Sequence, residues 1–328
     1  MTALKKIDAH HAAWRGRRVL VTGGAGFIGG HLCRRLVGLG AEVVVLDDLS
    51  TGRRDTLPPG VRLIVGSVTD PALVGKALQG TEGCFHLAAI ASVPLSVSAL
   101  VDCHAVNQTG TLRLIEGLRD TGGGRLVYAS SSAVFGDPVA LPLTMASPTR
   151  PISPYGVDKL ACEAHARVAG GLYGLKSFGL RFFNVYGEGQ SDESPYSGVI
   201  ALFNRKLRDG QPITVFGDGS QSRDFVYVGD VIEGLLAAWN EASVSGPVET
   251  VGTGCPTTVM DLARTIMEVH GRSVPVVHAP PREADIEHSY GKADFLARIL
   301  PKPAVALRAG LARTLSISPP AATLAPTP

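Results

Sequence analysis

The segment RRVLVTGGAGFIGGHL, residues 17–32, constrains the fold more than any other stretch of the chain. An apolar, β-branched run ends in glycines and passes directly into helical periodicity over residues 28–39. Further strand-like runs follow at AEVVVLDD (41–48), VRLIVGSV (61–68), GCFHLAAI (83–90), GRLVYASS (124–131) and LKSFGLRFF (175–183). Helical patterns separate most of them: PALVGKALQG (71–80), a long one over 99–120, and YGVDKLACEAHARVAGGLYG (155–174). Continuous apolar strands alternating with helices predict an α/β protein whose parallel sheet is covered on both faces.

The second half is less regular. Residues 185–198 read as a loop, 198–210 as an amphipathic helix, and 255–270 as another helix with Thr257 or Thr258 as N-cap. The ends, 1–16 and 316–328, are expected to be flexible; the second is rich in Pro, Ala and Thr. A net charge of +2 excludes a dedicated polyanion binder. Short arginine clusters, such as Arg15 to Arg18 and Arg205 to Arg208, read as solvated faces. Five widely spaced cysteines form neither a disulfide framework nor a zinc pattern, so reduced thiols in a cytoplasmic protein are expected, with no metal. No apolar run approaches the ~20 residues that cross a bilayer.

The glycines Gly23, Gly26 and Gly29 lie between the first strand and the first helix. The first permits a tight turn, the second lets a pyrophosphate approach the backbone, and the third lets helix and strand pack closely. Free N–H groups at the helix start favour the phosphates. An acid about 20 residues on is the usual ribose ligand. Asp47 fills that place and would repel a 2′-phosphate, which favours NAD. Arg53 and Arg54 close behind keep NADP open.

These motifs, together with HLAA (86–89), the YxxxK spacing of Tyr155 and Lys159, and FGDGSQSRDFVYVGDV (216–231), resemble the extended short-chain dehydrogenase/reductase family. Within it the chain is similar to NAD-dependent nucleotide-sugar epimerases and dehydratases, closest to UDP-hexose 4-epimerases, over residues 17–315. The resemblance implies a Rossmann-type doubly wound sheet built from 17–183 and about 220–255. A smaller C-terminal lobe of about 184–219 and 256–315 would bind the nucleotide sugar.

The resemblance also assigns residues. Tyr155 is the expected acid/base. A free tyrosine has a pKa near ~10, and an ammonium at i+4 on the same helix face favours its phenolate, which is the role of Lys159. The ASSSAVFG stretch (129–136) places the substrate-orienting hydroxyl at Ser131, with Ser132 as a helper and Ser130 structural or near the nicotinamide. Where related 4,6-dehydratases have Asp-Glu after this hydroxyl, Ser132 and Ala133 cannot drive loss of water. What remains is oxidation at one carbon and return of the hydride, which gives a 4-epimer.

The remaining cofactor contacts are expected at Phe27, Ile28, Ser67, Val68, Leu87, Ala88, Ala89, Asn107 and Phe182. Ser67 stands where an Asp is usual, and core packing is an equal reading for Phe182 and Phe183. For the substrate, Arg223 and Arg282 are expected to clamp the diphosphate, an arginine fork matching phosphate oxygens. Asn184 is expected at the phosphates or sugar, Ser92 at the sugar, and Val199 and Phe216 at the uridine. Ser289 occupies a position where a small residue admits a 2-acetamido group, so UDP-GlcNAc and UDP-GalNAc join UDP-Glc and UDP-Gal as expected substrates. A dTDP-sugar 4-epimerase, a UDP-glucuronate epimerase or decarboxylase, and a non-catalytic NAD-binding protein are the alternatives. The family likeness further implies a homodimer through the two long helices.

Overall fold

The computed structural model describes residues 14–138, 140–192, 198–281 and 286–316. The strands of the large sheet are β1 (Arg18–Thr22), β2 (Glu42–Asp47), β3 (Arg62–Val65), β4 (Gly83–His86), β5 (Arg125–Ser131), β6 (Lys176–Phe182) and, later in the chain, β10 (Val248–Val251). All seven pair in parallel, in the order β10-β6-β5-β4-β1-β2-β3. The alternation of side chains explains why the central strands are apolar at successive positions. Val19 and Val21 of β1 enter one core, with Val43, Phe85 and Val127. Leu20 between them enters the other, with Val44, Cys84 and Leu126. Helices on both faces keep these side chains from water.

The helices of the first half are α1 (Phe27–Gly38), α2 (Pro71–Leu78), α3 (Val93–Ser98), α4 (Leu100–His104), α5 (Gly110–Asp120) and α6 (Pro154–Tyr173). The expected single helix over 99–120 is α4 and α5 joined by a π-helical turn, Ala105–Thr109. Side-chain caps fix where three of these helices start: Asp70 accepts from the amides of Ala72 and Leu73, Ser92 from that of Leu95, and Ser153 from that of Gly156. Gly174, in the left-handed region, ends α6.

The second half carries β7 (Asn184–Tyr186), β8 (Ile213–Phe216), β9 (Ser222–Tyr227), β11 (Pro256–Thr258), β12 (Val276–Ala279) and β13 (His288–Ser289). Its helices are α7 (Val199–Arg208), α8 (Val228–Glu241), α9 (Val259–His270), α10 (Asp294–Ile299) and α11 (Leu307–Ser316). β9 pairs with β7, β11 and β13 in a small sheet of its own, and β8 pairs with β12. The expected return of 220–255 to the large sheet therefore starts later. β9 stays in the small sheet, α8 packs under β5 and β6, and β10 completes the large sheet. The strand β7 was missed because its three residues are too short for alternation to show. Thr258 is the N-cap of α9.

The N-terminal end was expected to be flexible to residue 16, but Trp14 is 2% exposed. Its ring lies 5.4 Å from that of Trp239 and 6.0 Å from Phe85, and Trp239 stacks on Phe85 at 4.8 Å. The sequence before Arg15, which mixes Lys, Asp and His with small apolar residues, gave no periodicity to reveal this packing. Residues 1–13 and 317–328, expected to be flexible, lie outside the described residues. Among the described residues no helix is long and apolar enough to cross a membrane.

Trp14 and Trp239 are the only tryptophans of the chain and both are buried. Trp239→Ala should lower the unfolding free energy by about 3–5 kcal/mol, measured by urea denaturation followed by far-ultraviolet circular dichroism.

Candidate active site

The sheet order reverses between β1 and β4, and a crevice at such a point, beyond the carboxyl ends of the strands, is where α/β sheets bind ligands. The glycine turn lies there. Gly23 has φ +67°, and a Cβ on it would stand 2.6 Å from the amide nitrogen of Ala88 in the turn after β4. A Cβ on Gly29 would collide with the backbone of Gly23 and Gly24, so α1 can touch the turn only with glycine there. A Cβ on Gly26 would meet nothing but the Gly23 carbonyl, at 3.2 Å. Gly26 caps α1 without a side-chain hydrogen bond, and no acid occupies the first turn. The first N–H groups of α1, in Phe27 and Ile28, are thus left for an anion.

Asp47 ends β2 and is 7% exposed. Its Oδ2 accepts the Ala25 amide at 2.9 Å and its Oδ1 the Leu49 amide at 2.8 Å. The carboxylate therefore shapes the glycine turn as well as facing the crevice, and about two of its lone-pair sites remain for hydroxyls. Arg53 pairs with Asp55 through Nε (3.1 Å) and Nη2 (2.6 Å), so its charge is already met on its own turn. These residues fit a dinucleotide with a free ribose 2′-hydroxyl.

Other expected cofactor positions have different work. The Asn107 amide is fully buried and bonds Ile90 at both ends, accepting from its N–H at 2.8 Å and donating to its carbonyl at 3.3 Å. It pins the turn after β4 rather than reaching outward. Val68 packs its side chain against Gly110, so only its backbone can face the crevice. Ser67 bonds Thr69 at 2.9 Å. Leu87, Ala88 and Ala89 lie half-buried along the turn, with the Leu87 amide bonded to the Thr22 carbonyl and that of Ala88 to the Thr22 hydroxyl. Phe182 is buried at the end of β6, paired in register with Ser131. Phe183 packs with Val134, Phe135 and Leu143, which settles its place in the core.

Tyr155 and Lys159 lie on the first turns of α6. Gly156 lets that helix pack close to the short helical turn Ser132–Phe135 after β5, since a Cβ added there would stand 2.6 Å from the Ala133 carbonyl oxygen. Lys159 is 3% exposed; its Nζ donates to the Ala129 carbonyl at 2.9 Å and lies 5.8 Å from the centroid of the Tyr155 ring. The Ser131 hydroxyl accepts the Ala133 amide at 3.1 Å, and Ser132 follows half-buried. Ser96, which the sequence did not single out, accepts the Tyr155 amide at 3.2 Å and fixes the start of α6. Ser92, expected at the sugar, caps α3 by accepting the Leu95 amide.

A buried polar chain runs behind these groups. His86 Nδ1 lies 2.7 Å from the Thr22 hydroxyl and its Nε2 lies 3.0 Å from that of Thr111. The Thr111 hydroxyl donates to the Asn107 carbonyl at 2.8 Å. Its oxygen must then accept from His86, which places the imidazole proton on Nε2 and makes Nδ1 the acceptor. Burial first, and the nearby Lys159 charge second, push His86 down to about 3.

The substrate end is built on β9. Arg223 donates from Nη1 to the carbonyls of Ser222 (2.9 Å) and Glu287 (3.3 Å), and Ser289 of β13 is its register partner. Asn184 donates to the Asp224 carbonyl at 3.3 Å. The Asp224 carboxylate, fully buried, gathers the amides of Thr253, Gly254 and Gly291, and burial pushes it above the ordinary carboxylate range. Phe216 ends β8 and Val199 begins α7, both half-buried. Leu143, on the segment leaving the catalytic turn, bonds Tyr290 and Lys292 through its backbone, joining the two lobes beside Ser289. Arg282 lies outside the described residues. Among the described residues no cluster of His, Cys, Asp and Glu could hold a metal ion.

Residues 19–252 match the NAD dependent epimerase/dehydratase family. The chain belongs to that family. A UDP-glucose 4-epimerase of Mycolicibacterium smegmatis is 37% identical over 91% of this chain and 97% of its own length. Among solved structures, a UDP-glucose 4-epimerase of Thermotoga maritima with UDP-glucose has a TM-score of 0.87 at 34% identity, covering 91% of this chain and 97% of its own. A UDP-N-acetylglucosamine 4-epimerase of Methanobrevibacter ruminantium, in complex with UDP-N-acetylmuramic acid, has a TM-score of 0.87 at 32% identity, covering 92% and 98%.

The His86 value has a sign that can be tested. Above its ordinary value of 6.5 the imidazole is neutral folded or unfolded. Between 6.5 and about 3 the unfolded chain takes up a proton that the folded site refuses. Stability is therefore lost as pH falls through this window, at up to about 1.4 kcal/mol per pH unit from this group. In urea titrations from pH 7 to pH 4, His86→Gln should show a shallower loss than the parent protein.

Proposed function

We propose that this chain is an NAD-dependent UDP-hexose 4-epimerase of the cytoplasm, acting on UDP-glucose and UDP-galactose and also on their 2-acetamido counterparts. One observation carries the reading. Lys159, beside the Tyr155 ring, bonds the Ala129 carbonyl of β5, the strand that Ser131 ends, and the two positions after Ser131 are Ser132 and Ala133 rather than carboxylates. Such residues can move one proton and hold one oxygen, and neither Ser132 nor Ala133 can act as an acid or base for removing water.

The site residues take these roles. Asp47, the glycine turn and the start of α1 bind the dinucleotide. The chemistry NAD would supply there is reversible hydride acceptance at C4 of the sugar, with no net redox change. Tyr155 takes the proton from the C4 hydroxyl as the C–H bond breaks, and gives it back to the same oxygen when the C–H bond reforms on the other face. Ser131 hydrogen-bonds that oxygen throughout. Lys159 supplies the positive charge beside the phenol. Arg223 meets the diphosphate, and Arg282 is proposed as its second clamp. Ser289, opposite Arg223, leaves room for an acetamido group, a reading supported by likeness to the Methanobrevibacter enzyme.

The same reading makes the protein a homodimer. Val101, Val168 and Leu172 are 76%, 52% and 68% exposed on α4, the π turn's neighbour, and α6. A groove between α5 and α6 is lined by Leu112, Ile115, Val168 and Tyr173. Apolar side chains so exposed on adjacent helices suit burial against a second copy.

Proton NMR of the purified protein with UDP-glucose, and separately with UDP-GlcNAc, should show the anomeric signal of the 4-epimer growing to a fixed ratio. Tyr155→Phe should lower kcat by at least about 100-fold while NAD binding persists. An unchanged rate would remove Tyr155 from the mechanism. Light scattering should give twice the chain mass, and Leu172→Glu should shift the protein to monomer.

A further inference from the structure

One buried cluster has no part in the chemistry above. Glu163 lies on α6 one turn past Lys159, so Tyr155, Lys159 and Glu163 form a single stripe at i, i+4 and i+8. Its carboxylate receives three hydrogen bonds. The Ser130 hydroxyl donates to Oε1 at 2.5 Å, Arg181 Nε to Oε1 at 2.9 Å, and Arg181 Nη2 to Oε2 at 2.7 Å. The side chains of Glu163 and Arg181 are each 7% exposed. The Arg181 guanidinium lies 4.8 Å from the centroid of the Phe135 ring, at the end of the turn that follows Ser131.

Placement makes the cluster more than a buried ion pair. Ser130 and Arg181 are register partners on β5 and β6, and the next pair in the register is Ser131 with Phe182. Glu163 thus grips two neighbouring strands one residue before the strand end where Ser131 sits, and it does so from the helix that carries Tyr155 and Lys159. A bidentate Arg–carboxylate pair fixes direction as well as distance. Glu163 can neither slide along α6 nor turn about it without breaking a bond to one strand.

We propose that Glu163, held by Arg181 and Ser130, is a positioning residue that sets the Tyr155–Lys159 stripe against Ser131. The inference rests on the epimerase reading. In that reaction proton and hydride leave the same carbon, so the phenol and the serine hydroxyl must address one oxygen together. Misplacement by about 1 Å can cost about 100-fold in rate. The diphosphate and the adenosine half of the cofactor are read by Asp47, the glycine turn and Arg223, none of which hydrogen-bonds the cluster. Its loss should fall on kcat and spare binding.

The test uses the double variant Glu163→Met with Arg181→Met. A buried ion pair replaced by apolar groups of similar size often leaves stability unchanged, so the fold is retained while the clamp is removed. UDP-glucose turnover, KM, retained NAD and the urea midpoint are measured against the parent. The expected result is kcat lowered about 10- to 100-fold, with KM and NAD content within threefold. A double variant that folds and turns over within threefold of the parent overturns the inference, as does one whose KM rises and NAD content falls in step with the loss of kcat. If the double variant does not fold, Ser130→Ala decides, since it leaves the ion pair in place. A kcat reduced at least threefold at constant KM then supports the clamp, and an unchanged kcat overturns it. A parent protein inactive on every UDP-hexose overturns the epimerase reading and this inference with it, whereas an active parent beside an unaffected variant overturns the clamp alone.

Discussion

The turn after β1 and the turn after β4 touch at Gly23 and Ala88, where a single added Cβ would lie 2.6 Å from a backbone nitrogen. Much of the site depends on that contact. The sheet runs outward in opposite directions from these two strands, so the crevice between their ends is the one place where loops from both halves converge. Thr22 binds the two ends together, accepting the Ala88 amide and bonding His86 of β4. Asp47 ties β2 to the same turn through the Ala25 amide. A larger side chain at Gly23 or Gly29 would force these elements apart.

Thr22, His86, Thr111 and the Asn107 carbonyl are linked by hydrogen bonds behind the crevice. The chain from Thr22 through His86 and Thr111 to the Asn107 carbonyl is satisfied in one proton arrangement only, which fixes the imidazole tautomer. Satisfied in this way, a low-dielectric interior strengthens the bonds; unsatisfied, the same groups would be costly. The result is a rigid wall behind Lys159. Glu163 and Arg181 do the same for the other side of α6, with opposite charges paired rather than neutral groups.

The substrate lobe is organised differently. Its strands are short, and the fully buried Asp224 carboxylate, rather than a large sheet, gathers the turns at Thr253, Gly254 and Gly291. Leu143 then bridges from the catalytic turn to Tyr290 and Lys292. The place where Ser289 sits is therefore set jointly by both lobes, and a change in either can alter the room available there.

The strands β1 to β6, their helices and the glycine turn were legible in the sequence because each depends on local periodicity or on a residue that only a turn requires. Tyr155 and Lys159 were legible because helical spacing places them on one face. Four features escaped: Trp14 in the core, the three-residue strand β7, Ser96 beneath Tyr155, and the Glu163–Arg181 pair. The side chains of Ser92 and Asn107 proved to cap a helix and pin a turn, tasks that leave no mark on residue type. By itself the sequence determined the α/β class, the dinucleotide turn and the shared helix face of Tyr155 and Lys159, since these follow from interactions between near neighbours along the chain. Only the tertiary structure decided which strands lie side by side, what Glu163 and His86 bond to, and how the lobes close around Ser289. Those contacts join residues tens of positions apart, and the energy that selects them comes from burial and hydrogen-bond completion in three dimensions.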